Sequence, residues 1–339
     1  MDASQEVRIA LPSKGRMEGE TLEFLEACGL KVSKTNPRQY TARIPALPSV
    51  LILFQRARDI ARSVSAGEID LGICGQDTLT DALGPDPEGV LVIHEDLGYG
   101  QCELVAAVPD GWMEVTTLAA LSAKAASEGG LRVATKHTNI ARRFLEERGI
   151  QNIAFVSADG ALESAPSIGY ADFIIDLTST GTTLHDNHLR MLDDGSILKS
   201  TAVLIGNRRS LAERPEALAV ATQLLEFVEA HLRADGQFLV FANMRGETAE
   251  EIAERMFTQT SLGGLQGPTI SPIIGRDNRT GWWAINIVVP AGRLYQAVQE
   301  LRAVDGSGVI VTPITYIFEE CPARCQRLLA ELGKAEAAR

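Results

Sequence analysis

The chain has 339 residues, 45% apolar and 22% charged, the mixture of an ordinary soluble protein with material for about two domains. Its net charge of −12 excludes a broad electrostatic grip on nucleic acid, although a few local cations can still hold a small anion. No apolar run is long enough to span a bilayer, and the opening "MDASQEVRIALPSKGR" does not read as a secretory signal. Cys28, Cys74, Cys102, Cys321 and Cys325 are scattered, without zinc spacing, and read as reduced thiols of a cytoplasmic protein.

In chain order, "VRIAL" predicts a strand that ends in the loop "PSKGRM", with a helix over about 18–28. "SVLILF" is a second strand. "QRARDIARSVSAGEI" then carries Ile60, Ala61 and Val64 at helical spacing, and "DLGIC" is a third strand entering "GQDTLTDAL". Strands alternating with helices argue an α/β fold with parallel pairing. "GQCELVAAVP" looks antiparallel and suited to cross into a second lobe. "LRVATK", "HTNIARRFLEERG", "NIAFVSA", "ADFIIDL" and a helix after Gly181 repeat the rhythm, and "ILKSTAVLIGN" would return. The expected layout is lobe I over 1–107 with 195–212, lobe II over 108–194, and a cleft between them.

"SLAERPEALAVATQLLEFVEAHLRA" reads as a long amphipathic linker helix over 213–235, with Pro215 near its start, where proline is tolerated. Beyond it, "QFLVFANM", "TAEEIAERMF", "PTISPII", "WWAINIVVP", "AGRLYQAVQELRAV" and "GVIVTPITYIF" run in the order βαββαβ. That order is ferredoxin-like and predicts a C-terminal domain over 236–339 that includes a helical tail. Its turn "GRDNRTG" is strongly specified by its residues.

The chemistry concentrates in "FIIDLTSTGTTL". A strand closes on Asp176, and Thr178, Ser179, Thr180, Thr182 and Thr183 then surround Gly181. A helix start after a strand presents free N–H groups, hydroxyls add donors, and glycine lets the backbone come close: a phosphate cup. A carboxylate beside it can accept from vicinal sugar hydroxyls, so the pair suits a ribose 5-phosphate. The alternative is an ordinary capped turn rich in threonine. Glu163 can converge on the same sugar or be a solvated glutamate.

Lys14 and Arg16 flank Gly15 at a strand-to-helix turn, and Arg56 and Arg58 follow the second strand. Open α/β sheets bind ligands at such strand ends, and cations there oppose the helix dipole. Asp70 and Asp77 flank Gly72 and Gly75. An acid in this turn can hold a ligand amine, orient Mg²⁺, or only cap a helix. His185 and His188 are better read as a solvated face than as a metal pair. No G-x-S-x-G, Walker or G-x-G-x-x-G pattern is present.

"LPSKGRM", "RARDI", "GEIDLGICGQDTLTD", "ATKHTNIARRFLEERGI", "GALESAPSIGYADFIIDLTSTGTTL", "GPTISPIIG" and "GVIVTPI" together resemble the long-form ATP phosphoribosyltransferase family over nearly the whole chain. The resemblance implies two lobes like those of the periplasmic binding proteins, plus a C-terminal regulatory domain that binds histidine as inhibitor. It implies ATP and phosphoribosyl pyrophosphate as substrates, substrate-bound Mg²⁺, and dimers assembling into hexamers. Carried over, Asp176 and Glu163 face the ribose and Thr178 to Thr183 surround its 5-phosphate. Lys14, Arg56 and Arg58 line the cleft near the pyrophosphate and nucleotide, and Asp77 is a turn residue of lobe I. Lys14, Glu163 and Asp176 are the residues expected in catalysis, and Thr269 and Ser307 are expected at the effector. The chain departs from the family in reading Asn187, His188, Leu189 where Asn-Gly-Leu is frequent, in carrying Gly292 where some members have an acid, and in extending past the usual end from Cys321. Two other readings remain: a two-lobed binding protein without catalysis, and a silent regulatory paralogue.

Overall fold

The computed structural model describes residues 6–34, 36, 39–157, 162–274 and 281–334. The turn expected over 275–281 lies, except for Gly281, outside the described residues. Two compact units form: one runs to Val228 and resumes at Cys321, the other is Glu229–Glu320.

The first unit begins with β1 (Val7–Pro12), α1 (Arg16–Ala27), β2 (Thr41–Ile44), β3 (Leu47–Gln55), α2 (Ala57–Ala66), β4 (Leu71–Gly75), α3 (Gln76–Leu83) and β5 (Val90–His94). The chain crosses through β6 (Cys102–Pro109) into α4 (Leu118–Ser127), β7 (Leu131–Thr135), α5 (Thr138–Glu147), β8 (Ile153–Ser157), β9 (Phe173–Thr178), α6 (Thr182–Asp186) and β10 (Leu189–Ser200). It returns through β11 (Ala202–Asn207), α7 (Arg208–Glu213) and α8 (Pro215–Ala234).

Lobe I is a six-stranded sheet in the order β2-β3-β1-β4-β11-β5, with β1 parallel to β3 and β4, and β11 antiparallel to both neighbours. Every residue of β4 and β11 is buried, the pattern of strands covered on both faces. In α2, Ile60, Ala61 and Val64 pack on Ala10, Cys74, Val203 and Ile205, and the helix ends at left-handed Gly67. Lobe II is β10-β6-β9-β7-β8, with a parallel β9-β7-β8 core and antiparallel β6 and β10. Together the two sheets make a two-lobed α/β arrangement.

Period-two alternation decides what β9 offers. Phe173 and Ile175 enter the core under α4 and α5, with Val133 and Phe144. Ile174 enters the other core, with Leu162 and Leu184. Asp176 follows Ile174 on that second face, beneath the short 3₁₀ turn Leu162–Ser164 and α6.

Three elements escape the sequence reading. β2 is four residues long, β5 lies between turn-rich segments, and the Ala- and Ser-rich α4 has only a weak apolar stripe. The helix expected after Gly181 is a single turn. At the family departure, His188 takes a φ of 55°, the left-handed conformation that glycine adopts without strain.

The second unit contains β12 (Gln237–Arg245), α9 (Ala249–Gln259), β13 (Thr269–Pro272), β14 (Trp282–Pro290), α10 (Leu294–Ala303) and β15 (Ser307–Pro313). Its all-antiparallel order, β13-β14-β12-β15, is ferredoxin-like. Val240, Met244, Ile285 and Ile287 face Ile252 and Met256 of α9 and Leu301 of α10.

The expectation that the helical tail belongs to this C-terminal domain is corrected. Helix α11 (Ala323–Glu331) packs on lobe I, where Arg324 and Arg327 hold Glu95 at 3.0 and 2.8 Å. Arg327 also donates to the Ile93 carbonyl of edge strand β5. Covering an exposed edge is a sufficient physical reason for the tail to return. No helix among the described residues is long and apolar enough to cross a membrane.

Candidate active site

The C-terminal strand ends of both lobes carry the chemistry. From lobe I, β1 releases Lys14 and Arg16, β3 releases Arg56 and Arg58, and β4 releases Asp77. Lys14 and Arg56 are exposed, and neither pairs with a carboxylate among the described residues. In a chain of net charge −12, such free cations are open to an anionic ligand.

From lobe II, Asp176 is half-buried and accepts the Leu177 amide at 2.9 Å. Burial pushes its carboxyl above the ordinary aspartate range; that amide, Lys136 and His137 pull the other way, and Glu163 adds to the rise. Lys136 stands level with Asp176, since Ala134 pairs with Ile174 in the parallel β7–β9 ladder. Glu163, half-buried in its 3₁₀ turn, faces the same carboxylate field.

The loop behind Asp176 is built around Gly181, whose φ of 76° is left-handed. A Cβ there would meet nothing within 4 Å, so backbone conformation is what the glycine supplies. The Gly181 amide donates to Thr178 Oγ1 at 2.9 Å, and the Thr180 and Thr182 hydroxyls meet at 2.9 Å. The Thr182 amide reaches Thr180 Oγ1 at 3.4 Å. The N-cap, Gly181, has no side chain to cap α6, and the Thr180 hydroxyl takes the Thr182 amide instead. The exposed hydroxyls of Thr182 and Thr183 stand beside this helix start.

Arg16, Asp77 and Asp81 of lobe I reach across to lobe II. Arg16 Nη1 donates to Ser179 Oγ at 3.2 Å. Buried Asp77 accepts from Ser200 Oγ at 2.6 Å, and its Oδ2 lies 3.7 Å from His137 Nε2. Asp81 accepts the amides of Asn139 at 2.9 Å and Ile140 at 3.1 Å, and pairs with Arg58. Lys136, His137 and Asp81 are residues the sequence reading missed. "TKH" at the end of an apolar strand was the available signal, since it puts a lysine and a histidine at a strand C-terminal end.

Asp70 is corrected: it is not a ligand group. It precedes β4, at the opposite end of the sheet, and is 3% exposed. It accepts from the Arg8 amide at 2.8 Å, from Arg214 Nη1 at 2.6 Å and from the Ser210 hydroxyl. Nearby, Asp70, Asn207 and Arg214 line an open cavity of about 720 Å³ on that far end. Thr269 and Ser307 are not brought together within the second unit. They occupy opposite edge strands with two strands between them, about 14 Å at ordinary strand spacing. Ser307 Oγ donates instead to the Asn243 carbonyl at 3.3 Å.

Fold and site define a two-lobed α/β ligand-binding class of protein, with exposed cations at the strand ends of lobe I and an acid followed by a hydroxyl-rich turn at a strand end of lobe II. The sequence comparisons carry this further. The ATP phosphoribosyltransferase model (HisG) matches residues 56–247, and the HisG C-terminal domain model matches 234–316. ATP phosphoribosyltransferase 2, chloroplastic, of Arabidopsis thaliana is 48% identical over 336 residues, covering 97% of this chain and 81% of the relative. The ATP phosphoribosyltransferase of Bradyrhizobium diazoefficiens is 33% identical, covering 92% and 94%. Among solved structures, the ATP phosphoribosyl transferase (HisG:HisZ) complex from Thermotoga maritima matches with a TM-score of 0.52 and 25% identity, over 66% of this chain and 98% of that one. The chain belongs to the ATP phosphoribosyltransferase family. It is a pentosyltransferase of the first step of histidine biosynthesis.

Proposed function

We propose that the cleft transfers the phosphoribosyl group of phosphoribosyl pyrophosphate to N1 of the adenine of ATP, releasing pyrophosphate. The observation that supports the residue assignment is Asp176 beside a hydroxyl-lined turn of lobe II, joined to the β1–α1 turn of lobe I by the Arg16–Ser179 hydrogen bond, with Lys14 and Arg56 exposed at strand ends of lobe I. The amides and hydroxyls from Thr178 to Thr183 hold the 5-phosphate. Asp176, with Glu163, accepts from the ribose hydroxyls and favours the positive charge that grows on the ring as the bond to pyrophosphate breaks. Lys14, Arg56 and Arg58 take the negative charge of the leaving group and nucleotide. Arg16 bridges to the loop through Ser179, and Asp77 orients His137 at the joint.

Substrate-bound Mg²⁺, beside Lys14, Arg56 and Arg58, would neutralise charge on the departing pyrophosphate. We further propose histidine inhibition through the second unit, with Thr269 and Ser307 as separate contacts, and assembly into dimers and hexamers. Five free cysteines support a reducing, cytoplasmic-type setting. The test is absorbance-monitored product formation from ATP and phosphoribosyl pyrophosphate with Mg²⁺, with and without histidine. Turnover suppressed by histidine is expected. Tight ligand binding without turnover would favour a binding protein.

A further inference from the structure

Asp81 has no part in the reading above, yet it is the most heavily used carboxylate at the joint of the lobes. Asp77 and Asp81 are four apart on α3 and so share the face turned to lobe II. That face meets the start of α5. The N-cap of α5 is His137, which makes no side-chain cap, so the helix receives its cap from the other lobe. Asp81 Oδ1 takes the Asn139 and Ile140 amides, and the Asp81 carbonyl takes Asn139 Nδ2 at 2.8 Å. Its second oxygen holds Arg58. One 3%-exposed carboxylate thus binds a cleft cation of lobe I and the helix start of lobe II that carries Lys136 and His137.

We propose that Asp81 is a positioning residue that sets the register between the two half-sites. Resting on the ribose-phosphate assignment of the lobe II loop, it supposes that the phosphoribosyl group is held on lobe II while the cations for its leaving group and for the nucleotide stand on lobe I. These meet in register only if α3 and α5 keep one alignment. The carboxylate is suited to this because it caps the helix dipole, accepts two amides and neutralises Arg58 with the same two oxygens. Asp81 itself is assigned no ligand contact; it touches the lobe I half-site through Arg58 and the lobe II half-site through the start of α5. Its loss should therefore act on turnover and spare donor binding.

The experiment compares Asp81→Ala, Asp81→Asn, Asp81→Glu and Asn139→Ala by steady-state kinetics, calorimetric titration with phosphoribosyl pyrophosphate and Mg²⁺, and thermal midpoint. Asp81→Ala should lower kcat by about 10- to 100-fold, the range a misplacement of about 1 Å produces. Its affinity for phosphoribosyl pyrophosphate should stay within about threefold. Asp81→Asn keeps an acceptor for the amides and should fall between, while Asp81→Glu recovers more activity than Asp81→Asn. Asn139→Ala, which leaves the Asp81 carboxylate in place, should lower kcat about threefold without weakening the donor. If the alanine variant does not fold, Asn139→Ala and Asp81→Asn carry the test. Unchanged kcat in the folded variants, or equal loss of kcat and donor affinity, overturns the positioning role. A wild-type protein without turnover would instead sink the functional assignment on which it rests.

Discussion

Asp70 and Asp176 are both aspartates with much of their side chains out of water, each beside a strand end. Asp70 leads into β4 and has a full set of partners: an amide, a hydroxyl and the Arg214 guanidinium. Asp176 lies in the C-terminal half of β9 with one local amide as its partner and with its carboxyl raised by burial. A satisfied buried acid is structural, because its charge is already compensated. An acid with spare acceptor capacity at a cleft can compensate charge on something that comes and goes. Strand direction sorts the two, since ligands gather at the carboxyl ends of strands in sheets of this kind.

This contrast can be broken most directly at Asp176. Asp176→Asn should reduce turnover by about 10²- to 10³-fold, the usual loss for one preorganised charge-stabilising group. Its thermal midpoint should be unchanged or higher. The carboxyl of Asp176 is raised in the folded protein, so its ionisation opposes folding as pH rises through that value, and asparagine removes the opposition. Asp70→Asn should do the reverse. Loss of the Arg214 pair should destabilise by about 2 kcal/mol in chemical denaturation, discounted for the partial exposure of Arg214. Turnover per folded molecule should hold.

A finer test uses pH. If the reaction needs the Asp176 carboxylate, its rate falls as pH drops through the folded-state value. The acid limb of kcat/KM should then lie above the ordinary aspartate range near 4. Lys136→Gln removes a charge that favours the carboxylate and should move that limb further up. A limb that stays put would remove Lys136 from the site.

The smallest effect is expected at the tail. Arg324 and Arg327 depress the Glu95 carboxyl to about 2, against a desolvation that opposes them. Their contribution is present above the ordinary glutamate range and is lost as pH falls toward that value. Glu95 is about half exposed, so Glu95→Gln should loosen α11 by less than about 1 kcal/mol. Faster amide exchange in α11 alone would show it.

Most of the framework was legible because it rests on periodicity. Ile60, Ala61 and Val64 announced a helix face, and the βαββαβ order announced the second unit. "DLTSTGTTL" was legible as a site because no packing need calls for that many hydroxyls around a glycine. What escaped depends on tertiary geometry. Asp70 and Asp77 bracket the same five-residue strand, and sequence alone did not separate the end facing the cleft from the end facing away. Asp81 carries no signal of its own in the sequence, because its partners lie in a helix nearly sixty residues on. The tail followed the last strand of the second unit in sequence and was assigned to it for that reason, while its arginines answer a carboxylate of lobe I.

The deciding measurement is a crystal structure of the wild-type protein with phosphoribosyl pyrophosphate and Mg²⁺. The 5-phosphate should rest on the turn from Thr178 to Thr183, with the ribose hydroxyls on Asp176. A donor bound elsewhere, for instance among Asn207, Arg208 and Arg214 at the far end of lobe I, would contradict the account.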